Sequence, residues 1–178
     1  MLNWHSFVVR QRMMNRVFVL IYMICLTSSF SAFSAESIMK LRQMYYAAYS
    51  NEKATNDFLK YASAVADNGP TELGYNGVAE MMMCKHVLNP YTKLKLFYSG
   101  RDKLERAIAK APTSVELRYL RYCVQQNVPG ILNYSKNIKE DEQLLVRFVK
   151  DVNNTKEHSD LFRRINNYLY TTSVLPEN

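Results

Sequence analysis

From Ile38 to Leu169, apolar side chains recur every three or four residues in segments parted by glycine, proline and asparagine. That is the helical period, and no alternating stretch of useful length competes with it. The spacing predicts an all-α fold of about seven helices. Ile38, Leu41, Tyr45 and Ala48 mark a first helix over 38–50. Phe58, Tyr61 and Val65 mark a second over 54–66, stopped by Asp67-Asn68-Gly69-Pro70. A third, over 71–88, carries Leu73, Gly77, Met81, Cys84 and Leu88 on one face. Asn89-Pro90 reads as an N-cap followed by proline at the first helical position. The fourth helix then shows Leu94, Phe97, Gly100, Leu104, Ala107, Ile108 and Ala111 before Pro112.

The fifth segment, 114–126, is apolar or aromatic nearly all round, which predicts a central helix. Thr113 with Glu116 predicts a capping box at its start. Asn137 with Glu140, and Asn154 with Glu157, repeat that logic before two last helices. Their stripes are Ile138, Leu145, Phe148 and Val152, then Leu161, Ile165 and Leu169. If the third and fourth helices fold back at Asn89, Gly77 stands twelve residues before the reversal and Gly100 eleven after it. Both then sit about 18 Å along their helices, which predicts a glycine-on-glycine contact at the closest helix crossing.

Residues 1–34 read as an address and not as fold. Arg10, Arg12 and Arg16 precede a ten-residue apolar run, Val17–Leu26, and no acid occurs before Glu36. A small, polar stretch follows. This is the layout of a secretory signal peptide, and Ala32 and Ser34 place small side chains for a cut before Ala35. A single helical domain, 35–178, is left. The run is half the roughly 20 apolar residues of a membrane span, which favours export over a retained anchor. Tyr22, Met23 and Ile24 do not suit a lipid-modified Cys25. The expected location is the periplasm or cell envelope, with membrane contact only through a leader that is kept. The chain's formal charge of +7 falls to +4 without the three leader arginines, and its cations are dispersed. No nucleic-acid partner is expected from that pattern.

Gly100, Leu104, Ala107 and Pro112 form a series of small, large, small and proline. Upstream, Ile38, Leu41 and Tyr45 followed by Ala54 and Phe58 span a whole helix-turn-helix unit. Over residues 37–126 the chain resembles a degenerate tetratricopeptide-repeat domain of the exported bacterial type. Tyr61 and Ala66 stand where that family has a small residue and proline. The resemblance implies antiparallel hairpins stacked as a short array. It also implies a scaffold that binds a protein or peptide and does no chemistry of its own.

Arg118 and Arg121 lie one helical turn apart, with Tyr119 and Tyr122 beside them, and this pair of guanidinium groups suits a carboxylate or phosphate. Together with Tyr91 they are the candidate binding residues. The bland alternative, which the sequence favours, is that the arginines pair with structural acids such as Glu116 or those of Lys139-Glu140-Asp141-Glu142. Cys84 and Cys123 form a candidate disulfide in an oxidising compartment, although both lie on apolar faces that suit free thiols. Glu80, Cys84 and His86 do not converge on one helix face, so no metal site is expected; beyond His86, the exported chain has only His158. Met81-Met82-Met83 and most of the tyrosines read as packing.

No nucleophile elbow, phosphate loop, zinc-protease helix or Gly-rich fingerprint occurs, so neither catalysis nor a cofactor is expected. The leading expectation is an exported helical scaffold holding a protein or peptide partner in the cell envelope. A membrane-anchored structural component and a small-molecule carrier are the alternatives. An open helical surface favours the scaffold, and a sealed cavity lined by the fifth helix favours the carrier.

Overall fold

The computed structural model describes residues 35–151 and 159–172. The leader, Val152, the Asn154–Glu157 pair and His158 lie outside them. The chain divides into two compact units, 1–40 and 41–178. Of the first, residues 35–40 are described and form the opening turns of helix α1 (35–47). The second unit carries everything that follows.

The described residues are all-helical, with seven α-helices and no strand. After α1 come α2 (Glu52–Val65), α3 (Pro70–Met83), α4 (Pro90–Lys110), α5 (Val115–Asn127), α6 (Ile138–Lys150) and α7 (Ser159–Thr171). Short 3-10 turns at Ala66–Asn68 and Gly130–Leu132 link α2 to α3 and follow α5. From α2 to α7, with the α6–α7 linker outside the described residues, each helix packs on its neighbour in sequence, and α3 and α4 form the most extensive pair.

Local chemistry explains most boundaries. The Asn51 side chain accepts the Ala54 amide to start α2, and Asn89 Oδ1 accepts the Tyr91 and Thr92 amides to start α4, with Pro90 behind it. Two expected capping boxes are corrected. α5 is capped by Ser114, whose side chain accepts the Leu117 amide, because Glu116 is drawn away to Arg42 and Tyr75. At α6 the Asn137 side chain makes no cap bond to the backbone; it donates to Glu140 Oε2 instead. The third helix is also shorter than its stripe. It ends at Met83, and the next three amides bond back only three residues, in tightened turns, before the chain leaves the helix. Leu88 is therefore no stripe residue and is 96% exposed.

Two apolar clusters share α5. Leu117 and Leu120 join Leu41, Tyr45, Phe58, Val78 and Leu104 in the first. Tyr119, Tyr122 and Cys123 join Leu145, Leu161, Ile165 and Leu169 in the second. The central position predicted for α5 is correct, but α3 is equally covered, with ten of its fourteen residues buried. Its buried polar groups hid that from the periodicity. Asn76 donates to Ser63 Oγ, and the fully buried Glu72 lies over the Gly69 backbone at the positive end of α3.

Gly77 and Gly100 do face each other. A Cβ on either would lie 2.4 Å from the other's carbonyl oxygen, and one on Gly77 would also meet the Leu104 amide nitrogen at 2.9 Å. Backbone cannot rotate aside as a side chain does, so a methyl there must force α3 and α4 apart. Gly77→Ala is thus expected to lower stability by roughly 1–3 kcal/mol, against the gain of about 1 kcal/mol that alanine brings to a helix. Gly130→Ala is the control, since nothing lies within 4 Å of a Cβ there. Urea unfolding followed by circular dichroism reads both; an unchanged midpoint for Gly77→Ala contradicts the crossing.

Candidate functional site

The side chains singled out from the sequence are mostly tied into the interior. Arg118 donates through Nε to Asp141 and through Nη2 to Glu140. Arg121 donates to both Asp141 oxygens, at 2.7 and 2.9 Å, and to Glu105 at 3.0 Å. Asp141 has no exposed surface at all. Tyr119 shares a 3.1 Å hydrogen bond with Tyr46, and Tyr122 donates to Glu142. The two arginines therefore pair with structural acids, the architectural arrangement. Tyr91 stands apart on the first turn of α4, 77% exposed.

Charge follows geometry here. The Arg118 hydrogen bond holds the Glu140 carboxyl below its ordinary value. Burial pushes Tyr75 well above the usual phenol, and the neighbouring Glu116 carboxylate adds to that. A third carboxylate, Glu80, is held by Lys103 at 2.7 Å, while His86 shares its Nε2 with Thr55 Oγ1 at 3.1 Å. Glu80, Cys84 and His86 therefore keep separate partners. No group of three or more His, Cys, Asp or Glu with metal-holding geometry occurs among the described residues. No helix of the described residues is long and apolar enough to cross a membrane.

The candidate site lies elsewhere, in a half-open cavity of about 590 Å³. Val78, Met81 and Met82 of α3 line it together with Phe97 and Leu94 of α4. Tyr45 and Tyr49 close one side, and Val124, Asn127 and the 128–132 segment another. Each wall has a local cause. The unwinding after Met83 brings Cys84 and Lys85 to the rim, and the Cys84 thiol donates to the Lys93 carbonyl at 3.3 Å. Beyond α5, Pro129 and the short 3-10 turn hold Ile131 outward at 91% exposure. Asn133 ends that turn with φ 46°, a left-handed backbone that asparagine tolerates. Tyr134 then anchors the segment, donating to Glu105 at 2.5 Å and packing edge-on against Phe97.

Cys84 and Cys123 both line the cavity and both are free thiols, so the candidate disulfide is not formed. Burial raises the Cys84 thiol. It pushes Cys123 up to about 12, with the hydroxyls of Tyr119, Tyr168 and Tyr45 offsetting part of the effect. Neither is a thiolate near neutral pH, and the lining holds no histidine or carboxylate.

Periodicity missed this site because Leu94 keeps the stripe of α4 like a core position, while Ile131 falls after Pro129-Gly130, where no period applies. A different signal was present. The segments 37–51, 81–101 and 117–139 contain no Asp or Glu, although the chain has 16. Every lining residue except Val78 comes from those three segments. No family model, curated protein or solved structure matches the chain.

Two outcomes follow from these contacts. Asp141→Ala leaves two buried guanidinium groups short of their shared acceptor and is expected to cost about 3–5 kcal/mol. Lys53→Ala, at an exposed pair, is expected to cost less than about 1 kcal/mol. Chemical denaturation compares them, and equal effects would contradict the buried cluster. The second concerns alkali. The Cys123 proton is held more tightly in the fold than in the unfolded chain. Its contribution is thus complete below the ordinary thiol value of 9.0 and disappears as pH rises towards about 12. Stability is expected to fall by about 1 kcal/mol between pH 8 and about pH 10 from this group, and Cys123→Ala is expected to fall by less over the same interval.

Proposed function

We propose that the chain is a non-catalytic binding protein of the cell envelope, exported by its leader, that holds a protein or peptide partner in the cavity between α3, α4 and the segment after α5. The observation that carries this reading is an open apolar trough whose rim exposes large apolar side chains. Ile131 is 91% and Leu94 43% exposed at its edge, with Leu88 and Tyr91 exposed on the adjoining turn. Pockets for small ligands enclose most of the ligand. A trough continued by an exposed apolar rim suits a side chain inserted from a larger surface. The resemblance of residues 37–126 to tetratricopeptide repeats, read from the sequence, supports the same reading by analogy. The cavity's volume also falls in the range of small-molecule sites, which keeps a carrier as the second reading.

Selection from a random displayed peptide library on the purified full chain tests this. Binders are expected that compete with one another. Leu94→Asp combined with Ile131→Asp is expected to weaken them at least about tenfold, with the unfolding midpoint unchanged because both side chains stand at the surface. Binders indifferent to both substitutions, or saturable binding of a long-chain fatty acid with no peptide binder, would overturn the scaffold reading. Intact mass of the protein recovered from cells is expected to begin at Ala35; a retained leader favours the anchored component instead.

A further inference from the structure

The trough carries a charge pattern as well as an apolar one. Its only charged lining residues are Lys85 and Lys93. Their backbone positions adjoin, since the thiol of Cys84, next to Lys85, touches the backbone carbonyl of Lys93. Lys85 Nζ rests 5.1 Å above the ring of Tyr49, on the same wall. Elsewhere in the second unit the cations packed against helices are matched with carboxylates: Arg42 with Glu116, Lys103 with Glu80, and Arg118 and Arg121 with Asp141. Lys85 and Lys93 are exposed, and neither forms an ion pair among the described residues. Apart from Val78, the walls around them come from three segments of sequence without a single acid. An apolar cavity bounded by two unmatched ammonium groups is complementary to an apolar body that carries negative charge.

Resting on the scaffold reading, we infer that the partner is a protein segment with an acidic residue placed beside its apolar anchor. The anchor enters between Met81, Met82, Phe97 and Val124, and the carboxylate is held at the rim by Lys85 and Lys93. The open side and the apolar rim favour a protein segment over a free amphiphilic acid, since a small acid would leave Ile131 and Leu94 uncovered. The lysines set orientation and encounter rate more than total affinity, because they act in solvent at the edge.

The probe is the set of peptides selected from the random library. Enriched peptides are expected to share an Asp or Glu next to large apolar or aromatic residues. Lys85→Ala and Lys93→Ala are each expected to weaken them roughly threefold, and both together about tenfold. The effect is expected to shrink at high salt. Replacing the peptide's acid by its amide is expected to give the same loss, and to give no further loss in the double lysine variant. Peptides that depend on Leu94 and Ile131 but lack an acid, or ignore both lysines, overturn this inference and leave the scaffold standing. Peptides that ignore Leu94 and Ile131 overturn both.

Discussion

The second unit depends on how α5 disposes of its own charges. A thirteen-residue helix covered on nearly every side has to bring its arginines and its glutamate inside with it, and an unpaired buried charge is far more costly than a buried pair. Neighbouring helices meet all of them. Glu116 takes Arg42 of α1 and the Tyr75 hydroxyl of α3. Arg121 reaches Glu105 of α4, and both arginines converge on Asp141 of α6. Well-packed apolar residues could often match a buried ion cluster in net stability. What these pairs add is register: four helices can meet α5 in one way only, because a slip strands a charge.

The apolar side of the fold follows simpler rules. Stripes at Phe97, Leu104 and Ala107, or at Leu161, Ile165 and Leu169, were legible because burial of one helix face repeats locally along the chain. The Asn89-Pro90 start and the facing glycines were legible for the same reason: each needs only the distance from a turn. What could not be read was everything settled by distant partners. Glu116 sits where a capping box wants it, yet its partner Arg42 lies 74 residues away. Leu88 keeps the period of α3, but the chain has already unwound. α3 looked ordinary because Glu72 and Asn76 interrupt its apolar surface, and only their buried contacts make that surface compatible with a central position.

The candidate binding residues illustrate the same limit. Two arginines one turn apart flanked by tyrosines suit a ligand clamp as well as an internal tie, and the sequence favoured the tie without fixing which acid makes it. The decision rests with Asp141, twenty residues further on. The trough was the converse case. None of its residues is unusual alone, and its identity comes from three separated segments that share an absence of acids. A count of acids along the chain contains that signal; a search for motifs does not.

Helix geometry also links the ion cluster to the trough. Arg118, Arg121 and Gln125 share one side of α5, Cys123 and Asn127 come round to the other, and Val124 lies between them. The charged side fixes how deep and at what rotation α5 sits, and the opposite side is a wall of the cavity. Trough width is therefore set from behind, by pairs that a partner in the trough never touches. The rim is fixed through Tyr134 on Glu105, and Glu105 is also an acceptor of Arg121. One carboxylate thus ties the loop that carries Ile131 to the helix that carries Val124. One side of the trough, from Val124 to Leu132, is held through a shared acid of α4.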